Sequence, residues 1–480
     1  MKRRNPSNDS PCPGCLATPL TRRELLKTAS SGFGMLSLSA LLADPAYAGL
    51  SAKAEPNLPA KARNVIFCYM QGAVSHVDTF DPKPKLAEWD GRTAEVEKTV
   101  ANKDPRKWLK SPWKFQQYGQ SGIPVSELFP HLATCVDDLA IIRSMVSGFP
   151  LHPRANIFMH TGRNVGGYPS LGSWVNYALG SENRNLPGYI LLHGGAVIPG
   201  GMENFSNGFL PATNQAMPIR PEGNPVENLV PGDQDPMVQR SKLDIAMQQD
   251  REYLASIGQD DAIESAIANF EMAYQMQSLV PDVLNLERES ESTRRLYGLD
   301  SPDKNKRFFG LQCLRARRLI ESGVRFVEVT APEVHGGNNG AWDQHTHLKE
   351  HHEENAFFTD QAITALIKDL KARGLWEETL IVWATEFGRT PHTGNGNGRD
   401  HHETAFTVWL AGAGVKGGTL YGTTDELGMK AVENIVAVHD LHATILHLLG
   451  LDHQKLTYRF GGRDVSLTDV HGHVIRDILS

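Results

Sequence analysis

The sequence predicts an α/β protein: a mostly parallel central sheet with helices on both faces. Three observations lead there. Short apolar, β-branched runs alternate with longer helical stretches along the chain. Those runs read as buried strands. Polar segments rich in Gly, Pro and Asn follow several of them, as expected of loops at strand ends where α/β proteins gather their functional groups.

Asn64 to Met70 reads as a buried strand ending at Gln71-Gly72, and Leu139 to Arg143 as another, followed by a helix through Ala155 to His160. Residues Gly194 to Gln234, rich in Gly, Asn and Pro, read as irregular. The stretch from about Ser241 to Ser322 has few turn signals and reads as a helical insertion or cap, not a separate domain. Val324 to Thr330 and Thr379 to Thr385 are strands that end beside polar motifs. Ala405 to Leu410 is a further strand before the turn Gly412-Ala413-Gly414. Helices are expected over Asn355 to Lys371 and Leu441 to Leu449. The sequence shows no internal repeat.

The N-terminus reads as an address. Arg22-Arg23 precedes a mildly apolar stretch from Thr28 to Ala43, and Ala46-Tyr47-Ala48 supplies a small-x-small cleavage pattern. Residues 1–48 resemble a twin-arginine export signal, leaving 49–480 as one domain, periplasmic or secreted. The apolar stretch is shorter than the ~20 residues that a span needs, and no later one is longer, so no membrane span is expected after processing.

The whole chain carries a formal charge of −7. The first 48 residues hold six basic and three acidic side chains, so the remainder stands near −10. That balance argues against a nucleic-acid partner. Cys12 and Cys15 fall ahead of the paired arginines. Cys68, Cys135 and Cys313 are too few, and odd in number, to be a disulfide framework.

Four His- and acid-rich segments punctuate the C-terminal half: His335-Gly336-Gly337, Trp342 to His347, Thr385 to Pro391, and Gly398 to Glu403. Imidazole and carboxylate together are the ligands of divalent metals and the groups of acid–base catalysis. Asp78, Asp343, His345, Glu386, Asp400 and His401 are therefore candidate ligands for one or two ions (zinc, calcium or manganese), provided their loops converge. Asp343 and His345 are spaced for two ligands on an extended segment; the alternative is a His–Asp hydrogen bond that organises a loop. His402 either binds too or orients His401. Glu386 has a salt bridge to Arg389 or Arg399 as its alternative.

His152 is a candidate nucleophile, general acid or ligand, against a plain loop histidine before Pro153. Arg154 and Arg163 have the fork geometry to clamp a sulfate or phosphate, or else pair with surface acids. Ser75 and His76 are adjacent and point apart on an extended loop, so they do not make a Ser–His pair. His351-His352 reads as part of an exposed helix start, and Asp440 as a helix N-cap.

Over nearly its whole length after residue 48, the chain resembles the bacterial domain-of-unknown-function 1501 proteins, relatives of sulfatases within the alkaline phosphatase superfamily. The motifs are Gly72 to Pro84, Thr161-Gly162 with Pro169 to Trp174, Trp342 to His345, Glu386 to Pro391, Gly398 to His401, and Asp440 to Gly450. The last is similar to a helix near the end of sulfatases. The resemblance implies an alkaline phosphatase/sulfatase-like α/β fold. It implies a divalent metal and a sulfated or phosphorylated small molecule or glycan as partner.

Departures from the sulfatase pattern matter for chemistry. The first strand ends in Gln71-Gly72 where sulfatases carry paired metal-binding aspartates. His152 stands near the position of their Cys or Ser nucleophile. Their Asp-His before Gly becomes Glu386-Phe387-Gly388. Two functions follow: an exported metal-dependent hydrolase of sulfate or phosphate esters, or a non-catalytic descendant of the fold that binds a glycan or protein at the cell envelope.

Overall fold

Strand order determines which loops can meet. The computed structural model describes residues 57–95, 105–220, 235–258, 260–334, 341–394 and 396–480. The expected export signal (residues 1–48), with Cys12 and Cys15, and His335 lie outside them. In chain order the strands used below are β1 (Asn64–Tyr69), β2 (Leu139–Val146), β3 (Tyr189–Leu192), β4 (Met217–Ile219), β5 (Phe326–Thr330), β6 (Thr379–Ala384), β7 (Gly388–Thr393), β8 (Arg399–His402), β9 (Phe406–Gly412), β10 (Thr419–Tyr421) and β11 (Val436–Ala437). All but the β7–β8 hairpin join a nine-stranded sheet of order β10-β2-β9-β6-β1-β5-β3-β4, with β11 also on β2. Only β9 runs against its neighbours; β1, β3, β4, β5 and β6 are parallel. Their C-terminal ends therefore share one edge of the sheet.

The central strand β1 shows why both faces are covered. Ile66, Cys68 and Met70 point to one core, with Phe309 and Leu366 of helices α5 (Lys304–Glu321) and α6 (Leu348–Ala372). Val65, Phe67 and Tyr69 point to the other, with Trp174 of α2 (Leu171–Leu179) and Leu441 of α7 (Val438–Leu448). Each such side chain contributes about 1.5–3 kcal/mol by leaving water. The fold class is as the sequence predicts. Cys68, Cys135 and Cys313 are buried and free, and among the described residues no helix is long and apolar enough to cross a membrane.

Helix α1 (His152–Thr161) starts with Pro153 in its first turn and stops at Gly162, whose φ of 66° is the left-handed conformation of a helix end. The helical stretch divides in two. Helices α3 (Pro236–Ile257) and α4 (Asp261–Leu284) pair through Arg240–Glu271, whereas α5 is a core helix with Phe309, Cys313, Leu314 and Leu319 fully buried. The expected cap thus ends before α5, whose apolar stripe covers the sheet. The irregular region supplies the edge strand β4, although residues 221–234 lie outside the description. His352 corrects the reading of an exposed helix start: it is fully buried, one turn beyond Leu348, between the rings of Trp113 and Trp342.

Candidate metal centre

Four segments meet at the C-terminal edge of the sheet. The first turn of α1 brings His152, and the segment entering α6 brings Asp343 and His345. Glu386 follows β6. The β7–β8 hairpin pairs His401 opposite Arg389. Ligand atoms of His152, Asp343 and His401 all lie within 4.8 Å of one another. His401 Nε2 is 3.0 Å from His152 Nε2 and 3.0 Å from His345 Nε2. Asp343 Oδ1 is 3.3 Å from His152 Nε2, 3.1 Å from His345 Nε2 and 3.4 Å from His401 Nε2.

The partners on the far sides of the rings fix where the hydrogens are. His152 Nδ1 donates to Glu386 Oε1 at 2.6 Å. His401 Nδ1 donates to the carbonyl oxygen of Pro150 at 2.6 Å, an atom that can only accept. In the neutral rings both Nε2 atoms are therefore bare lone pairs. They face each other and a carboxylate oxygen, an arrangement that repels itself unless a cation or a proton lies between.

Charge around the cluster is balanced from behind. Arg389 is fully buried and donates to Asp343 Oδ1 at 2.5 Å, and also to the carbonyls of Gly72 and Ala73. Burial opposes the Asp343 charge, but the surrounding histidine rings and the nearby guanidinium outweigh it and hold its pKa well below the carboxylate range. Glu386 is fully buried; there too burial is outweighed, by His152, the Gly72 amide and the residue's own, and its pKa is lowered. For His152, burial is outweighed by Asp343 and Glu386, so its pKa is raised; for His401 burial prevails and lowers it. His345 forms the mouth, 36% exposed, its Nδ1 3.6 Å from Asp400 Oδ1. Asp400 in turn meets Arg106 at 3.2 Å.

A family model described as "Protein of unknown function (DUF1501)" matches residues 62–479. The chain belongs to the DUF1501 family. No curated protein sequence matches it. Among solved structures it overlaps a 2-O GAG sulfatase at 9% identity, covering 87% of this chain and 74% of that one with a TM-score of 0.39. A sulfatase from Pseudoalteromonas sp. overlaps at 12% identity, 94% and 76% coverage and a TM-score of 0.36. A protein in the alkaline phosphatase superfamily from Vibrio parahaemolyticus does so at 11%, 88% and 78%, and 0.34. Overlaps this loose carry no chemistry across; the fold class stands on the strand order.

Of the residues singled out in this DUF1501 sequence, Asp343, His345, His401 and His152 come together. Glu386 stands one residue back, as the acceptor that orients His152, and not in a salt bridge with Arg389 or Arg399. Asp400 flanks His345. Asp78 is elsewhere: fully buried, it accepts two hydrogen bonds from Arg399 at 2.6 and 3.0 Å and one from Ser75 at 2.5 Å. Its loop does not curl back to the cluster, so the metal-ligand reading of Asp78 is corrected. Arg154 is exposed, two residues beyond His152 and so on another face of α1. Arg163 pairs with Asp469 at 2.7 Å.

His402 does not orient His401, because it points to Thr404 and stacks near His76. Gln71, in the place of paired aspartates, instead closes both polar ends of its amide on Ala331. Sequence reasoning missed Arg389 as the partner of Asp343, Arg106 behind Asp400, and the carbonyl of Pro150. Only the first had a signal, since Arg389 lies within a motif already marked as polar.

Proposed function

We propose that this chain is an exported metal-dependent hydrolase of sulfate or phosphate esters, with His152, Asp343 and His401 as its metal ligands and His345 at the mouth. The facing lone pairs of His152 and His401 beside Asp343 are the observation that carries the reading. A donor set of imidazole nitrogens and one carboxylate suits zinc or manganese better than calcium, which takes oxygen. When bound, such an ion supplies Lewis acidity toward an ester oxygen.

The chain's own residues do the rest. Glu386 and the Pro150 carbonyl hold the two rings in the tautomer that bares Nε2. Arg389 fixes Asp343. His345, half open to solvent with Asp400 behind it, is placed to give a proton to the leaving group. The hydroxyl of Ser75 is engaged on Asp78, and that of Thr385 on the Met70 carbonyl and Glu386. His152 stands near the position of the sulfatase Cys or Ser, and in this reading the attacking group is water. The substrate class is the one the sequence resemblance implies.

One observation favours the second reading, a non-catalytic protein binding a glycan or partner at the envelope. Arg389 and a proton on His152 together satisfy Asp343 without any ion. Elemental analysis of protein folded with zinc or manganese supplied decides between them, alongside Asp343→Ala and His401→Ala and assays on aryl sulfates and phosphates. Stoichiometric metal lost in both variants, with ester hydrolysis lost alongside, supports the hydrolase. Metal-free wild type sinks it. Export is tested by replacing Arg22 and Arg23 with Lys, which should retain the protein in the cytoplasm.

A further inference from the structure

Helix α6 also lines a cavity away from the metal centre. Glu353, Phe357 and Asp360 stand at i, i+4 and i+7, so they form one stripe along the helix. With Trp113, Glu127 and Lys306, the last from the first turn of α5, they line a cavity of about 350 Å³. Ligand cavities span about 300–1,000 Å³, and this one has room for a single small ring. At 1.5 Å per residue the stripe begins roughly 8 Å along α6 from Leu348. Trp113 leans on His352 and His352 on Trp342, with ring centroids 5.8 and 5.0 Å apart, so buried rings separate the cavity from Asp343.

The floor holds a cation short of partners. Lys306 is 8% exposed. Its Nζ lies 4.0 Å from the centre of the Phe357 ring, and among the described residues it donates no hydrogen bond. An ammonium carries three donors, so a buried one resting on a ring face has hydrogen bonds left to give. Burial accordingly lowers its pKa, against the charges of Asp360, Asp303 and Asp300. Asp360 is already committed: its two oxygens accept the amides of His131 and Leu132 at 2.7 Å each. Glu127 and Glu353 are half committed. Oε1 of Glu127 accepts the Lys114 amide and Oε1 of Glu353 the Trp113 indole N–H, each at 3.1 Å, which leaves Oε2 of both to accept from a ligand.

These demands choose the ligand. Three carboxylates against one ammonium turn away an anion, so a sulfated or acidic sugar does not belong here. A simple amine would suit the carboxylates, but it sets a second cation beside Lys306 and leaves the donors of Lys306 unused. Hydroxyls both donate and accept, and the C–H face of a sugar lies well on aromatic surface such as Trp113 and Phe357 supply. We infer that this cavity binds an uncharged hexose unit of a glycan, with Lys306 donating to one hydroxyl, Glu127 and Glu353 accepting from others, and Trp113 and Phe357 covering the ring. The site goes beyond the metal centre and does not depend on the reaction proposed there.

Saturation-transfer NMR with the methyl glycosides of glucose, galactose, mannose and N-acetylglucosamine tests it on wild type, Lys306→Met, Phe357→Ala and Asp343→Ala. At least one of these neutral glycosides should bind wild type, and bind Lys306→Met about tenfold or more weaker, as expected when hydrogen bonds to a charged group are lost. Phe357→Ala, at a residue 49% exposed, should also weaken binding while leaving cooperative unfolding and metal content unchanged. Asp343→Ala should bind the glycoside as wild type does, which keeps this site distinguishable from a failed metal reading. The site is overturned if wild type binds no neutral glycoside, if either cavity variant keeps the wild-type affinity, or if a 6-sulfated glycoside binds as tightly as its parent. Binding of the free hexose without its methyl glycosides also overturns it. Should Lys306→Met not unfold cooperatively, Phe357→Ala decides alone.

Discussion

Helix α1 carries two histidine–carboxylate clusters, eight residues apart, and they differ in one respect. At His160 every polar atom is answered: Nδ1 donates to the Asn156 carbonyl at 2.7 Å and Nε2 to Glu328 at 2.7 Å, while Tyr189 donates to the other Glu328 oxygen at 2.8 Å. The Asn156 carbonyl can only accept, and the Glu328 carboxyl beside the ring raises its pKa against burial, which favours an imidazolium inside the core; His160, Glu328 and Tyr189 are all no more than 3% exposed. At His152 the inner nitrogen is answered by Glu386 but the outer one faces other lone pairs. Residue types are shared; the unanswered electron pairs are what mark a site. The His160 cluster is a strut, and the His152 cluster is a receptacle.

The largest expected effect breaks the strut. Glu328→Ala leaves a buried imidazolium unpaired and should cost about 3–5 kcal/mol in urea unfolding, with metal content per folded molecule unchanged. A smaller cost would mean that water reaches His160. At the receptacle, metal at 100 times its dissociation constant should raise wild-type stability by about 2.7 kcal/mol and leave Asp343→Ala unmoved; chelator should reverse it. An equal gain in both would place the ion elsewhere.

Glu386→Gln sharpens the contrast, since it removes only the group that orients His152. Metal affinity should fall about 10–100-fold, read by competition with a chromogenic chelator; no change would mean that Glu386 is structural. The smallest effect is a pH slope. Burial lowers the His160 pKa but Glu328 more than restores it, leaving it raised. Its contribution is therefore fully present below the unfolded value of about 6.5 and is lost as pH rises through the folded value. As pH rises above the unfolded value and through the folded one, wild type should lose this contribution while His160→Leu/Glu328→Leu stays flatter. Parallel slopes would refute the imidazolium.

Most of the fold was legible because β-branched runs such as Asn64 to Met70 and Thr379 to Thr385 announce buried strands. Helix α5 was misplaced because its long helical neighbours hide the point where surface pattern gives way to core pattern. Asp343, His345 and His401 were legible as residue types. Their meeting was not, since it depends on a hairpin turning His401 inward and a backbone carbonyl holding it. Asp78 looked like a ligand for the same reason: no local feature reveals that Arg399, 321 residues away, takes both its oxygens.

The span of these contacts has a consequence for timing. His152 reaches His401 across 249 residues, and Gly72 reaches Glu386 across 314. Contacts this distant in sequence form late, after the loop between them has closed. The nascent chain thus has no receptacle until nearly all of the domain has emerged and condensed, and a partly folded chain offers an ion only scattered single ligands. Under the proposed export route, the compartment in which folding finishes is also the one whose ion supply fills the centre.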